Sequence, residues 1–390
     1  MLDYNKLISD KILSIKPSGI RRFFDLANQM EGVISLGVGE PDFKTPLRIR
    51  EAGIASLQKG ETKYTANAGM AELKTEISAY LKRKFDLHYD PANELFVTVG
   101  GSEAIDLCIR ALVNPGDEVL IVDPSFVCYA PITELAHGVP VMLPTKAEDG
   151  FKLTAETLKA AITPKSKLLI LPFPSNPTGG VMHKEDLEAI AEVLRGTDIL
   201  VLSDEIYAEL SYSGSHVSIA SLEGMKERTI LVNGFSKAYS MTGWRLGYAC
   251  GPNPIISQML KLHQYAIMCA PTTSQYAAIE ALRHCDDEIE KMREEYNSRR
   301  EMMVRELNRI GLTCFAPEGA FYVFPSIKST GLSSEEFCEG LLMKEKVAVV
   351  PGGAFGASGE GHVRISYSYA VEHLKEALVK IERYVQSLNK

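Results

Sequence analysis

The 390-residue sequence predicts an α/β fold, on two observations. Short apolar runs at Leu95–Val99, Val119–Val122, Leu168–Leu171, Ile199–Leu202 and Ile230–Val232 have the length and composition of buried strands, and each empties into a turn of small or polar residues. Between them apolar residues recur at helical spacing, as at Ile105, Cys108, Ile109 and Leu112, so the rhythm from about residue 95 is strand, turn, helix, repeated.

Bulk properties narrow the class of function. At 45% hydrophobic and 24% charged, the chain has enough apolar material for two domains. A formal charge of −8 and the lack of a Lys/Arg-rich cluster give no field for nucleic acid. Seven cysteines without a C-x-x-C pair point to reduced thiols, and eight histidines without ligand spacing give no reason to expect a metal. The start does not resemble a signal peptide and no apolar stretch is long enough to span a bilayer, so a cytoplasmic protein without membrane partners is expected.

In chain order, the first thirty residues read as a mixed arm, with Ser18-Gly19 as a turn before an amphipathic run from Ile20 to Met30. Val33–Leu36 then ends in Gly37-Val38-Gly39-Glu40-Pro41-Asp42, where no third glycine opens a helix and a dinucleotide site is rejected. Gly39 lets backbone approach a ligand, or simply makes a turn before Pro41. Tyr64 sits in a loop, Lys63–Gly69. Gly100-Gly101-Ser102 feeds a helix N-terminus, a natural anion site, and without a following lysine it is no triphosphate loop. Phe126, at the next strand end, is either core or a ring offered to a ligand. The prolines of Pro172–Gly180 restrict the backbone around Asn176, and Leu187, Ile190, Ala191 and Leu194 mark the helix after it.

Asp204 directly follows a buried strand, with Tyr207 three residues on; an anion placed there serves a cofactor or caps a helix. Lys237 follows the strand Ile230–Val232, and Arg245 lies eight residues beyond it. A lysine at a strand end, partly desolvated and beside a second cation, has a lowered pKa and an amine free to attack a carbonyl; an ordinary surface lysine is the alternative. A long helix is expected from about Asp286 to Ile310, with Met292, Tyr296, Met303 and Leu307 on its apolar stripe. Arg364, flanked by β-favouring residues, is either a solvated edge residue or a planar clamp for a carboxylate.

The segment Ser236-Lys237 through Met241-Thr242-Gly243-Trp244-Arg245-Leu246-Gly247-Tyr248 resembles the cofactor-lysine segment of the class I/II aminotransferases, enzymes that use pyridoxal 5'-phosphate (PLP). Gly37–Asp42, Tyr64–Gly69, Ser175–Gly179, Asp204–Tyr207, Pro351–Gly356 and Val363–Tyr367 resemble further family segments, in family order. The overall look is similar to the branch that includes N-acetyl-diaminopimelate aminotransferases.

The resemblance implies the PLP-dependent transferase fold. A large domain at 46–280 would hold a mostly parallel sheet between helices, and a smaller α/β domain at 1–45 and 281–390 would be built from both chain ends. It implies that Lys237 carries the cofactor and moves the proton between the substrate Cα and cofactor C4′. Asp204 would pair with the pyridine nitrogen, Tyr207 and Asn176 would reach the phenolic oxygen, and Phe126 would lie against the ring. Gly101, Ser102, Ser236 and Arg245 would hold the phosphate, joined by Tyr64 of a partner subunit in a homodimer with shared sites. Gly39, Asn176 and Arg364 would take the substrate carboxylate.

Two departures stand out. Gly234 replaces a hydroxyl residue that many relatives place three residues before the lysine. Ser102 stands where some aspartate-specific relatives carry lysine, which speaks against an acidic substrate. The implied activity is ping-pong transfer of an amino group between an L-amino acid and a 2-oxo acid. A C–S β-lyase uses the same Lys, Asp and Arg set, and a non-catalytic PLP-binding regulatory module is the alternative of another class.

Overall fold

The computed structural model describes residues 2–16 and 30–388. The amphipathic run expected at 20–30 lies outside them except for its last residue. The chain enters through a short strand, β1 (Ile34–Ser35), and two helices, Leu47–Gln58 and Ala71–Phe85. It then builds a seven-stranded sheet from β2 (Leu95–Thr98), β3 (Glu118–Asp123), β4 (Val139–Pro144), β5 (Ser166–Leu171), β6 (Leu200–Asp204), β7 (Thr229–Gly234) and β8 (Gly247–Cys250). Their order in space is β2-β8-β7-β6-β5-β3-β4. Neighbours run parallel except where β8 meets β2 and β7.

The continuous apolar runs of the sequence follow from this geometry, because a parallel strand covered by helices on both faces has no solvent side. Successive residues point to opposite faces. Val119, Ile121, Leu168 and Ile170 thus join one core with Ile105, Cys108 and Ile109 of the helix Gly101–Leu112. Leu120, Val122, Leu169 and Leu171 join another with Leu187, Ile190, Ala191 and Leu194 of the helix Lys184–Leu194. Strand β4 has no counterpart among the apolar runs of the sequence: it is the partly exposed edge, and Pro140 and Pro144 are tolerated there because an edge strand need not offer every N–H to a neighbour.

After the long helix Asp286–Ile310, whose Met292, Tyr296, Met303 and Leu307 are buried as expected, come β9 (Tyr322–Val323), β10 (Val347–Ala348), β11 (Val350–Pro351) and β12 (Val363–Ser366). β1 pairs with β10, and β11, β12 and β9 form an antiparallel sheet. One core gathers Leu36 with Tyr296, Phe321, Ile365, Leu374 and Ile381, so the beginning and the end of the chain share one apolar interior.

The site is positioned by how the two halves meet. Strand β3 has β4 on one side and β5 on the other, a reversal of strand order, and the C-terminal ends of parallel strands beside such a point open into a crevice. Asp123, Leu171, Asp204 and Gly234 end four neighbouring strands on that side. Among the described residues, no helix is long and apolar enough to cross a membrane.

Candidate active site

A cavity of about 440 Å³ lies in that crevice. Its wall includes Gly39, Gly101, Ser102, Phe126, Asn176, Asp204, Tyr207, Ser236, Lys237, Arg245 and Arg364. Residues far apart in sequence are brought to one place, because most of them end a strand or begin the turn after it. Tyr64 is not among them: 79% of its surface is exposed, away from its own chain's cavity.

Lys237 follows β7, and its Nζ donates to the Gly39 carbonyl at 2.6 Å. The ammonium also stands 5.6 Å from the ring centres of both Tyr207 and Phe321. Burial pushes the amine down to about 8, and the Arg364 and Arg245 cations add to this against Glu40 and Asp204. A substantial neutral fraction therefore exists near neutrality, as a nucleophilic or proton-carrying amine requires.

Asp204 ends β6 and is 7% exposed. Its Oδ2 accepts from the Tyr129 hydroxyl at 2.7 Å and its Oδ1 from the Ile206 N–H at 3.2 Å. The second bond is of the capping kind, and it coexists with exposure to the cavity. Desolvation raises the carboxyl's pKa, opposed by those two hydrogen bonds. A buried carboxylate in this state favours a cationic group brought against it.

Arg364 lies on β12 and is 4% exposed, so the solvated-edge alternative does not hold. Its Nη1 donates to Asn176 Oδ1 at 2.8 Å and its Nη2 to the Gly37 carbonyl. The Nε is buried without a partner among the described residues. A guanidinium with an unmet donor and neutral partners suits an incoming carboxylate. Asn176 itself sits between Ser175 and Pro177 in a turn with cis bonds at Phe173-Pro174 and Asn176-Pro177.

The anion end of the cavity is built on glycine. Gly100 caps the helix Gly101–Leu112 at φ +78°, and a Cβ there would come within 2.7 Å of Arg245 Nη2. Only glycine lets the arginine pass over this turn, where a helix N-terminus and a guanidinium face the same space. Arg245 holds its place through a left-handed backbone, φ +52°, and a 2.9 Å bond from Nη1 to the Thr242 carbonyl. Ser102 and Ser236 line the cavity and Gly234 does not. A Cβ on Gly234 would stand 2.9 Å from the Gly247 Cα and 3.0 Å from the Leu246 carbonyl, so close pairing of β7 with β8 leaves no room for a hydroxyl side chain.

Four polar lining residues are not marked as site residues by the sequence. Tyr129 holds Asp204, Tyr322 touches Tyr207, and Thr242 and Glu40 are hydrogen-bonded to each other. Tyr129 opens the helix Tyr129–Leu135 three residues beyond Phe126, edge-on to its ring at 6.0 Å, and that nearness in sequence to an expected site residue is the signal by which it could be found. Nothing local marks Tyr322.

These features fit PLP. The cavity offers an amine, a buried anion for a ring nitrogen, a cationic helix terminus for a phosphate and, in Phe126, an aromatic wall. Fold and site together define an α/β enzyme centred on a lysine amine. The model of the class I and II aminotransferases matches residues 31–381, and the chain belongs to that family. It is 57% identical to the putative aminotransferase YugH of Bacillus subtilis, over 97% of this chain and 98% of the relative. Identity is 48% to an aspartate aminotransferase of Pyrococcus abyssi, with the same coverages. It is 44% to a probable N-acetyl-LL-diaminopimelate aminotransferase of Bacillus subtilis, over 97% of this chain and 96% of the relative. The aromatic aminotransferase structure from Pyrococcus horikoshii superposes with a TM-score of 0.90 at 46% identity, covering 95% of this chain and 99% of that one. The protein is therefore an aminotransferase of the PLP-dependent family, acting on an amino acid and a 2-oxo acid.

Proposed function

We propose that the cavity binds PLP and that the protein transfers an amino group from an L-amino acid to a 2-oxo acid in two half-reactions. The observation that carries this is the convergence in one cavity of a lysine brought to about 8, a buried carboxylate and a buried arginine with an unmet donor. When bound, the cofactor supplies a carbonyl to accept the amino group and a ring to take up electrons.

The chain's own residues do the rest. Arg364 takes the α-carboxylate, and Asn176, bonded to it, fixes the guanidinium's orientation and offers its amide to the phenolic oxygen. Lys237, neutral in part at working pH, takes the α-proton and returns it on the other side of the exchange. Asp204, held by Tyr129, would keep a proton on the ring nitrogen, and Tyr207 would donate to the phenolic oxygen. Gly101, Ser102, Ser236 and Arg245 would hold the phosphate, Phe126 would offer its ring to the cofactor, and Gly39 would let its backbone stand close to the substrate.

Three finer readings belong to the same proposal. The large domain at 46–280 is supported by the seven-stranded sheet, and the small one at 1–45 and 281–390 by the core that joins Leu36 to the C-terminal helices. A cytoplasmic homodimer is proposed, with Tyr64 serving the partner's phosphate, supported by that ring's exposure on its own chain. N-acetyl-diaminopimelate in lysine biosynthesis is the proposed substrate, supported by the branch resemblance and by the 44% identity to a probable N-acetyl-LL-diaminopimelate aminotransferase.

A donor panel tests this. The PLP-loaded protein should lose its visible band with a donor while releasing the matching 2-oxo acid, and a 2-oxo acid should restore the band. Pyruvate release from cystathionine without an acceptor would instead establish the β-lyase. Binding of PLP with no turnover of any donor would leave a regulatory module.

A further inference from the structure

Tyr322 has no exposed surface and no charge, and it touches three parts of the site at once. Its hydroxyl lies 2.8 Å from that of Tyr207. Its ring lies under the Arg364 guanidinium, whose carbon is 4.6 Å from the ring centre. A Cβ built on Gly39 would strike its hydroxyl, so the glycine whose carbonyl holds Lys237 is packed against the same oxygen.

The placement comes from the sheet. In the antiparallel pair of β9 and β12, Tyr322 stands opposite Ser366. Arg364 lies two residues from Ser366 and so shares its face, a diagonal within reach of long side chains. The ring is also wedged between Phe321 at 4.8 Å and Tyr207 at 5.9 Å.

We infer that Tyr322 is a positioning residue for Tyr207: its hydroxyl donates to the Tyr207 oxygen and so turns the Tyr207 proton toward the phenolic oxygen of the bound cofactor, while its ring holds Arg364 for the substrate carboxylate. This rests on the reading that the cavity binds PLP. Each hydroxyl has one proton, so in the pair only one can donate to the other. Once Tyr207 commits its proton to an acceptor in the cavity, its oxygen is free to accept from Tyr322. The two bonds then lie in series, and a donor that is itself a hydrogen-bond acceptor is strengthened. The ring makes a separable contribution, since cation–π attraction depends on the aromatic face and not on the hydroxyl.

The role gives a spectroscopic signature. A donor on the phenolic oxygen competes with the proton held on the Lys237 nitrogen, so the pH at which the bound cofactor's visible absorption changes reports the strength of the Tyr207 bond. Tyr322→Phe removes one neutral hydrogen bond and keeps the ring. The midpoint should rise by about half to one pH unit, roughly three- to tenfold in proton affinity. The KM for the amino acid should stay within about twofold, whereas Tyr322→Leu, which loses the aromatic face, should raise it several-fold.

The deciding measurement is a double-mutant cycle on the holoenzyme with Tyr322→Phe, Tyr207→Phe and the double variant. Under the inference, Tyr322→Phe moves the midpoint in the wild-type background and leaves it unmoved once Tyr207 lacks its hydroxyl. An unmoved midpoint in the single variant, or an equal movement in both backgrounds, overturns it. So does a rise in KM for Tyr322→Phe without a midpoint change, which would make the residue a packing element only. If Tyr322→Phe does not fold, Tyr207→Phe alone still decides, because a midpoint identical to wild type leaves Tyr322 nothing to act through. A wild-type protein that takes up no PLP overturns the function proposal and this inference together, and a normal visible band in wild type separates the two.

Discussion

The Tyr129 hydroxyl, from the first residue of the helix Tyr129–Leu135, donates at 2.7 Å to Oδ2 of Asp204 at the end of β6, and both residues are buried. Aspartate raised by desolvation would drift toward its neutral form, and this bond favours the anion. Tyr129→Phe should keep PLP and the fold and lower the first half-reaction rate by roughly ten- to a hundredfold, the effect of about 1.5–3 kcal/mol for a hydrogen bond to a charged group. Asp204→Ala should cost more, several kcal/mol of transition-state stabilisation on the order expected for a charge placed in a desolvated site. Stopped-flow rates with a single donor measure both, and a Tyr129→Phe enzyme as slow as Asp204→Ala would show that the tyrosine acts by more than this bond.

What the sequence discloses and what it hides follow from the same geometry. Lys237, Asp204 and Asn176 follow buried strands, where apolar runs mark the boundary, so their places at the sheet's C-terminal edge are legible. Arg364 is ambiguous, because a lone arginine in a strand gives no sign of which elements will cover it; packing against the Gly37 turn, the ring of Phe355 and the ring of Tyr322 decides that it is buried. Tyr322 is invisible for the related reason that its partners, Tyr207 and Gly39, lie 115 and 283 positions away in the sequence. Strand β4 is hidden because prolines break the pattern that a central strand shows, and β8 because its Gly247-Tyr-Ala-Cys250 run begins inside the lysine segment.

Arg364 gives a second prediction. Its Nη1 bond to Asn176 and its Nη2 bond to the Gly37 carbonyl hold the cation in place, its Nε keeps an unmet donor for a carboxylate, and each charged hydrogen bond contributes about 1.5–3 kcal/mol. Arg364→Leu should therefore lower kcat/KM for amino acids at least tenfold, while an amine without an α-carboxylate is little affected. Equal losses for both substrates would remove the clamp from this residue.

Lys237 predicts a pH dependence of stability in the apoprotein. Its folded value of about 8 lies below the ordinary 10.5, so between those values the unfolded chain binds more protons than the folded one. The folded state accordingly carries a cost that is fully present below pH 8 and fades as pH rises toward 10.5. Lys237→Met, similar in length and uncharged, should make the apoprotein more stable at pH 7, by up to on the order of 3 kcal/mol given how far the folded amine lies below its unfolded value. The gap in Tm between variant and wild type should shrink steadily from about pH 8 to about pH 10, the window between the two values. A gap that does not change with pH would mean that packing, not charge, causes it.

Covalent labelling tests the central residue directly. With PLP bound, the protein should be yellow, and borohydride should fix the cofactor on Lys237, identified by peptide mapping. Label on any other lysine would displace the assignment of the reactive amine, even though Lys237 alone among the described lysines lines the cavity.

The last prediction concerns the subunits. Tyr64 is 79% exposed and lies outside the cavity that holds Lys237 and Arg245 of its own chain, so a role in phosphate binding requires that it act on another copy. A two-fold dimer makes this testable, because the symmetry fixes which defects share a site. In a hybrid of a Lys237→Ala chain with a Tyr64→Ala chain, sharing across the interface gathers both defects into one site and leaves the other intact. If Tyr64 serves its own chain, each site carries one defect. Hybrids purified through two different tags should thus recover about half the wild-type activity under sharing, by counting intact sites on the two-fold axis. The comparison needs a Tyr64→Ala dimer that is clearly impaired by itself. Activity no higher than that of the impaired parents would show that the tyrosine does not cross between subunits.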